Sequence, residues 1–234
     1  IMTHRQLQIE FERWINAIDA TTTVSNKLNS DTIFAYLNIG KDKFWKTRYS
    51  GLNIKREGFE QSQKRIDDLR TLVKVQEYNT ITDNSIELPE DYTLTLGETA
   101  SISSSTSPCW PKSGNTPIIK TTDVIEATVE NIDAILANSL SEHRLHLNRA
   151  KPIRLYQGNT IKFYTDGNYS VVGYKLTYLR APGNIGDTAV LSTEYTDLPE
   201  HTHSEIVRLA VQYYMSVNAI PQVKVFSEEV NTME

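Results

Sequence analysis

Two stretches late in the chain decide its reading: Lys175-Leu-Thr-Tyr-Leu-Arg-Ala-Pro182, and Leu198-Pro-Glu-His-Thr-His-Ser-Glu-Ile-Val-Arg-Leu-Ala-Val-Gln-Tyr-Tyr214. The first is rich in aromatic and branched residues and ends a long strand predicted over 169–180, stopped at Pro182-Gly183. The second carries Thr202-His-Ser-Glu205, a capping-box pattern in which the Thr202 hydroxyl takes the N3 amide and Glu205 reaches back. Ile206, Leu209, Ala210, Tyr213 and Val217 then recur at helical spacing, and Pro221 closes the run. The order is strand, loop, amphipathic helix, and the helix is expected to pack its apolar stripe on the strands.

Upstream, from Pro152, the apolar period is two. Ile153 and Leu155, then Ile161 and Phe163, alternate with Arg154, Lys162 and Tyr164, so one face is core and the other wetter. Gly158-Asn159 between the two runs is a two-residue hairpin turn with glycine first. Asp166-Gly167 then turns into the third strand, and an antiparallel meander is predicted. Ile86-Glu-Leu-Pro89 and Asp91 to Leu96 also alternate, and Pro117 to Ile125 is a further strand candidate. Between them, residues 99–117 are rich in Ser and Thr and predict an exposed loop. In that loop Trp110 lies between Pro108 and Pro111, either folding back on its own domain or anchoring a partner. Val129, Ile132, Ile135 and Leu136 suit a short helix.

The first third is helical. Thr3-His-Arg-Gln6 is another capping box, followed by the stripe Leu7, Phe11, Trp14, Ile15 and Ile18. A second helix starts at Ser30 or Asp31, carries Ile33, Leu37, Phe44, Trp45 and Tyr49, and stops at Ser50-Gly51. A third is predicted from about Arg56 to Val75, with Lys64, Arg65, Asp67, Asp68 and Arg70 as its solvated face. The chain thus reads as an α+β fold: an N-terminal helical region, an antiparallel β meander or sandwich-like middle, and a C-terminal amphipathic helix. It is expected to be a single domain, 1–234, in successive regions: 3–76 helical; 77–197 mainly β; 198–221 helix; and a tail, 222–234, whose Val223 and Val225 suit strand addition to a neighbouring chain.

Composition narrows the chemistry. A formal charge of −5 disfavours a groove reader of nucleic acid, which shows a basic excess. One cysteine, Cys109, excludes an intrachain disulfide framework and a cysteine-built zinc cluster. No apolar run approaches membrane-spanning length, and the N-terminus lacks a signal-peptide pattern, so an intracellular protein or particle component is expected. His143-x-x-His146 and His201-x-His203 are possible metal pairs, but each lacks the further ligands a site needs. They read as ordinary polar histidines, with a pH-sensitive contact at the latter pair conceivable. No serine sits in a nucleophile elbow, no histidine neighbours Cys109, and the ten glycines form no phosphate loop. Asp166-Gly-Asn168 is turn chemistry rather than a calcium loop. The cations Lys41, Lys43, Lys46, Arg48, Lys55 and Arg56 complement the second helix's C-terminus or form a basic strip facing nucleic acid or an acidic partner. The twelve tyrosines and three tryptophans include candidate interface anchors. No catalytic, metal or cofactor residue is assigned, and an enzyme is not expected.

Taken in order, several segments resemble the head–tail connector (adaptor or ring) proteins of tailed bacteriophages, in particular those of crAss-like phages. They are Ser30-x-x-Ile33, Tyr36-Leu-Asn38 and Phe44; Leu88-Pro-Glu-Asp-Tyr92; Lys151-Pro-Ile153; Leu176 to Pro182; and Leu198-Pro-Glu200 with Glu205-Ile-Val207 and Ala210. Together they span about residues 3–221. The resemblance implies a virion component at the portal vertex, assembled in the host cytoplasm. It implies a homo-oligomeric ring of twelve copies below the portal, contacting portal and tail proteins and surrounding the channel for genomic DNA without sequence-specific binding. A ring is a heterologous interface that closes, so each subunit needs two complementary surfaces. The alternative is a β-sandwich binding module for carbohydrate or a receptor, with Trp110 and the tyrosines as its platform. A small hydrolase is disfavoured by the motifs above.

Overall fold

The structure, a computed structural model, describes residues 1–18, 28–51, 58–187, 190–218, 226–228 and 230. The elements are α1 (His4–Ile18), α2 (Ser30–Ser50), α3 (Gln63–Leu69), β1 (Val73–Tyr78), β2 (Ser85–Glu87), β3 (Tyr92–Ser103), β4 (Lys112–Ser113), β5 (Thr116–Pro117), β6 (Lys120–Thr122), β7 (Ile125–Ala127), α4 (Ile132–Ala137), β8 (Ile153–Gln157), β9 (Thr160–Tyr164), β10 (Ser170–Arg180) and α5 (His203–Val217). The α+β class stands. The sequence reads as one domain in successive regions; in the structure the chain groups into two compact units, and the first is discontinuous. A helical unit is made of residues 1–72 and 182–234, and a β unit of residues 73–181 is inserted between them. Both ends of the insert lie in one strand pair, because Val73 stands opposite Leu179. Adjacent ends are what domain insertion requires.

In the helical unit, α1 starts on the expected capping box: the Thr3 amide donates to Gln6 Oε1 at 2.8 Å and the Gln6 amide to Thr3 Oγ1 at 3.2 Å. Leu7, Phe11 and Ile15 are buried. Gly51 closes α2 in the left-handed conformation, its N–H on Thr47 O. The third helix is shorter than its periodicity predicts. It spans Gln63–Leu69, passes through one 3-10 turn, Arg70–Leu72, and gives way to strand β1 at Val73. The sequence around Leu69, Leu72 and Val73 fits either period, and a ladder with β10 decides it. Arg56 lies outside the described residues.

Helix α5 also departs from its reading. A 3-10 turn, Glu200–Thr202, precedes it, and the Thr202 hydroxyl donates to Pro199 O at 2.8 Å rather than capping the helix. Glu205 is drawn into ion pairs instead. The buried face is rotated one position: Ile206, Val207, Ala210, Val211, Tyr214 and Met215 face inward, while Tyr213 and Val217 are exposed. That face packs on α2 and α1 of its own unit. The α2–α5 approach is backbone to backbone: a Cβ on Gly40 would lie 2.7 Å from Ile206 O and 2.8 Å from Ala210 N. Phe226 is buried with its ring edge on Trp14, whereas Val223 and Val225, the expected added strand, lie outside the described residues.

The β unit has two four-stranded sheets, ordered β1-β10-β3-β6 and β2-β9-β8-β7, plus the small β4-β5 ribbon. Apolar side chains of both sheets, among them Ile86, Ile102, Ile161, Phe163, Val171 and Leu176, share one core, so the middle is a sandwich. The β8–β9 hairpin forms as predicted, with Gly158 at φ +63°. The meander does not. The far edge of β9 is taken by β2, Ile86 opposite Ile161, so β10 joins the other sheet between β1 and β3. Residues 99–103, expected in the loop, are the end of β3, paired with β10 on one side and in part with β6 on the other. The predicted strand 117–125 breaks into β6 and β7, one in each sheet, and β7 pairs parallel to β8 across a connection containing α4.

Substitution Gly40→Ala should destabilise the helical unit by about 1–3 kcal/mol, because helix backbone cannot move aside for the methyl group. Denaturant unfolding checks it; an unchanged midpoint would contradict the tight crossing.

Candidate functional site

Many charges that read as solvated surface are inside. Arg48, on α2, is 2 % exposed. Its Nε lies 3.1 Å from Asp68 Oδ2, in ionic contact without hydrogen-bond alignment, and its Nη2 bonds Glu205 of α5. Asp68 also meets His201 Nε2 at 2.9 Å, and Lys64 lies 3.8 Å from Glu205. Arg65 is buried too, so the expected solvated face of α3 turns its Arg65 and Asp68 to the interior. Lys41 donates to Gly183 O at 3.3 Å and Asn184 Oδ1 at 2.9 Å, holding the segment that re-enters the helical unit. Of the predicted basic strip, Lys41 and Arg48 are therefore internal, Lys43 meets Gln212 and Lys46 lies over the Trp45 ring. Lys55 and Arg56 fall outside the described residues.

The histidines sort differently from their sequence reading. His143 and His203 are buried rather than surface residues. His203 Nε2–H donates to Leu198 O at 3.1 Å, which leaves Nδ1 to accept from the Met2 amide at 3.4 Å. His4, not singled out in the sequence, accepts the Gly186 amide on Nδ1 at 2.9 Å. Burial pushes all three imidazoles below their ordinary value of 6.5. His143 sits in the loop after α4, not on a helix, so His143 and His146 do not share a helical face. Among the described residues no three His, Cys, Asp or Glu side chains gather at metal-binding spacing.

In the β unit a polar network joins the sheets. Arg154 of β8 donates through Nε to Glu98 of β3 at 2.7 and 2.9 Å, reaches Glu126 at 3.1 Å and lies over the Tyr156 ring. Tyr174 of β10 donates to the same Glu98 carboxylate, and Tyr92 donates to Tyr156 at 3.1 Å. Burial first, then the Glu98 charge, pushes the Tyr174 phenol far up; burial does the same to Tyr156. These phenols stay protonated, and Glu98 is paired with Arg154, so the network holds hydrogen bonds rather than moving protons. Beside it, Glu77, Tyr78, Gly173 and Lys175 line an open groove of about 560 Å³. Trp110 does not reach out: it is 2 % exposed, with Nε1–H on Ile118 O at 2.8 Å. Cys109 is exposed. Asp166 accepts the Asn168 amide in the predicted turn and also the Leu145 amide at 2.7 Å.

A cleft of about 910 Å³ lies between β6 and the 139–151 loop, with Lys120, Arg144, His146, Arg149 and Lys151 around it and Glu142 as its acid. Of its lining, the sequence singles out only His146 as a candidate site residue. The local signal was available, since Arg144, Arg149 and Lys151 fall within eight positions, but Lys120 comes from a distant strand. No protein-family model and no curated protein sequence matches this chain. Among the described residues no helix is long and apolar enough to cross a membrane.

The three buried histidines set a pH response. Their folded values lie below the unfolded one, so below about pH 6.5 the unfolded chain binds protons that the folded chain does not, and stability falls with pH. Asp91 and Asp166, held below the usual carboxylate value of 3.8, act only at lower pH. Melting temperature should be level above about pH 7 and decline from pH 6.5 to 5, with His203→Gln flattening the slope; a level profile would contradict the assignment.

Proposed function

We propose that the chain is a structural, ring-forming virion protein of the phage head–tail connector, seated below the portal and serving as DNA conduit and attachment site for tail proteins. The reading starts from the sequence resemblance. The observation that carries it further is a concentration of uncovered apolar side chains. Of the twelve exposed large hydrophobics among the described residues, Ile118, Ile119, Val129, Leu140 and Leu147 lie within 118–147 of the β unit, with Leu140 90 % exposed. Single exposed apolar residues are ordinary, whereas a surface that gathers several of them is the kind a partner covers. A closing ring supplies one, because each copy offers such a surface to the next. A homo-oligomer of twelve and the portal and tail partners belong to the same proposal.

The alternative, a sandwich that binds carbohydrate or a receptor, loses Trp110 from its platform, since that ring is buried. What remains in its favour is the open groove with Tyr78 and Glu77 in its lining.

Mass spectrometry and labelling of purified particles of the encoding phage should find the chain at the portal vertex. The double substitution Ile119→Asp, Leu140→Asp should leave the melting temperature nearly unchanged, since both side chains are exposed, and lower incorporation into particles about tenfold. A chain absent from the particles, or a variant incorporated like the wild type, would refute the reading.

A further inference from the structure

We propose that the cleft between β6 and the 139–151 loop binds phosphorylated small molecules. The proposal does not rest on the ring reading, although Leu140 belongs to both surfaces, since it concerns a concavity built within one β unit. The first observation is charge. In a chain of formal charge −5, Lys120, Arg144, Arg149 and Lys151 surround one cleft against Glu142 alone. Glu142 is matched by Lys151 at 2.8 Å. Lys120 gives its ammonium to Asn148 O at 3.3 Å, and Arg144 gives its guanidinium to Asn138 O at 3.3 Å and Leu136 O at 3.2 Å. Carbonyls orient a cation without cancelling its charge, so these two remain electrostatically open. Arg149 has no side-chain partner among the described residues. Three uncompensated cations thus converge on one cavity, and a ligand with two or more negative charges completes them.

The second observation is that the wall is held in place. Tyr169 donates to His143 O at 2.9 Å, Asp166 takes the Leu145 amide, and the Lys151 amide returns to Glu142 O. Lys120 lies over the Trp110 ring, itself buried. At the tip, His146 and Arg149 exchange both backbone hydrogen bonds around Leu147, which takes φ +57° although it is not glycine. A leucine in that conformation is strained, and strain of this kind persists where the surroundings over-determine it. The tight turn sets His146 and Arg149 side by side. A site whose cations are already positioned loses little entropy on binding.

The third observation separates a small ligand from a polymer. A volume of about 910 Å³ falls in the range of small-molecule pockets. The lining also contains apolar surface, Ile102, Leu145 and Ala150 together with exposed Leu140, which suits the less polar body of a nucleotide or a phosphorylated sugar. Of aromatic rings only the His146 imidazole is in the lining, so the stacking platform of a single-strand binder is missing from this cleft.

Calorimetric titration of the full chain with pyrophosphate, ATP and inorganic phosphate, beside a short DNA duplex, tests the assignment. Pyrophosphate and ATP should bind, with affinity falling as salt is added. Arg149→Gln, at an exposed side chain without a partner, should weaken binding about tenfold. Glu142→Gln frees Lys151 and should tighten it about two- to fivefold, a gain that misfolding cannot produce. Lys175→Gln, in the other groove, should change nothing. Binding of inorganic phosphate as tight as that of ATP would keep the phosphate site and remove the role of the apolar lining. The proposal is overturned by no binding at millimolar ligand, by binding indifferent to Arg149 and Glu142, or by binding of the duplex alone.

Discussion

The helical unit depends on how closely α2 and α5 approach. Gly40 lets the backbone of α2 touch Ile206 O and Ala210 N, with no side chain between them. An approach that close fixes the rotation of α5, because only a small residue fits opposite Gly40 and Ala210 supplies it. The rotation then selects which residues face inward, and it carries Glu205 to the Arg48 guanidinium at the far end of α2. Arg48 is also in contact with Asp68, just past which α3 ends in the turn that leads to β1. One contact between small residues therefore determines a buried ion network, and the network positions the exit from the unit. Removing one member of such a network leaves a charge buried without its partner, which is the costly direction of change.

The β unit solves a different problem, that of edges. A two-stranded β8–β9 hairpin is marginal alone, and its outer edge would invite another chain. Here β2 covers β9 and the short parallel β7 covers β8. Covering β9 displaces β10 into the opposite sheet, where its eleven residues pair with both β1 and β3. The two sheets are then joined through the core by packing and by the Arg154–Glu98 pair, with Tyr174 completing the carboxylate's contacts. A buried ion pair, with Arg154 Nε shared between both Glu98 oxygens, is a stricter guide to which strand faces which than apolar contact is, because a displaced register would leave Arg154 without its acid.

These two arrangements separate what could be read along the chain from what could not. The Thr3–Gln6 capping box, the Gly51 stop and the Gly158 hairpin turn are set by neighbours within a few positions, and each appears in the structure as predicted. The burial of Arg48, Arg65, Asp68 and Arg154 is not local. Glu205 is 157 positions from Arg48 and Glu98 is 56 from Arg154, so nothing beside these residues marks them as internal. The rotated stripe of α5 has the same origin: Val207 and Val211 are as apolar as Leu209 and Val217, and the Gly40 crossing chooses among them. The meander failed because alternation identifies strands but not partners, and β2, a strand of three residues, took the edge. The basic cleft lay half in view, as a run of cations without the strand that completes it.

Placement of charge has a consequence for how the molecule meets its surroundings. Several cations that give the chain its near-neutral appearance are spent inside, on Asp68, Glu205 and Glu98 or on backbone carbonyls. Paired and buried, they add little to the field outside, so the accessible positive potential is carried by the groups that remain on the surface. In the cleft, Arg149 and its neighbours stand beside low-dielectric walls formed by Ile102 and Ala150. Such walls focus a field instead of letting solvent disperse it, and focusing raises the local concentration of anions. A long polyanion would extend beyond so narrow a positive region, whereas a compact one would meet only the cleft. The same distribution favours a small phosphorylated ligand over an extended one.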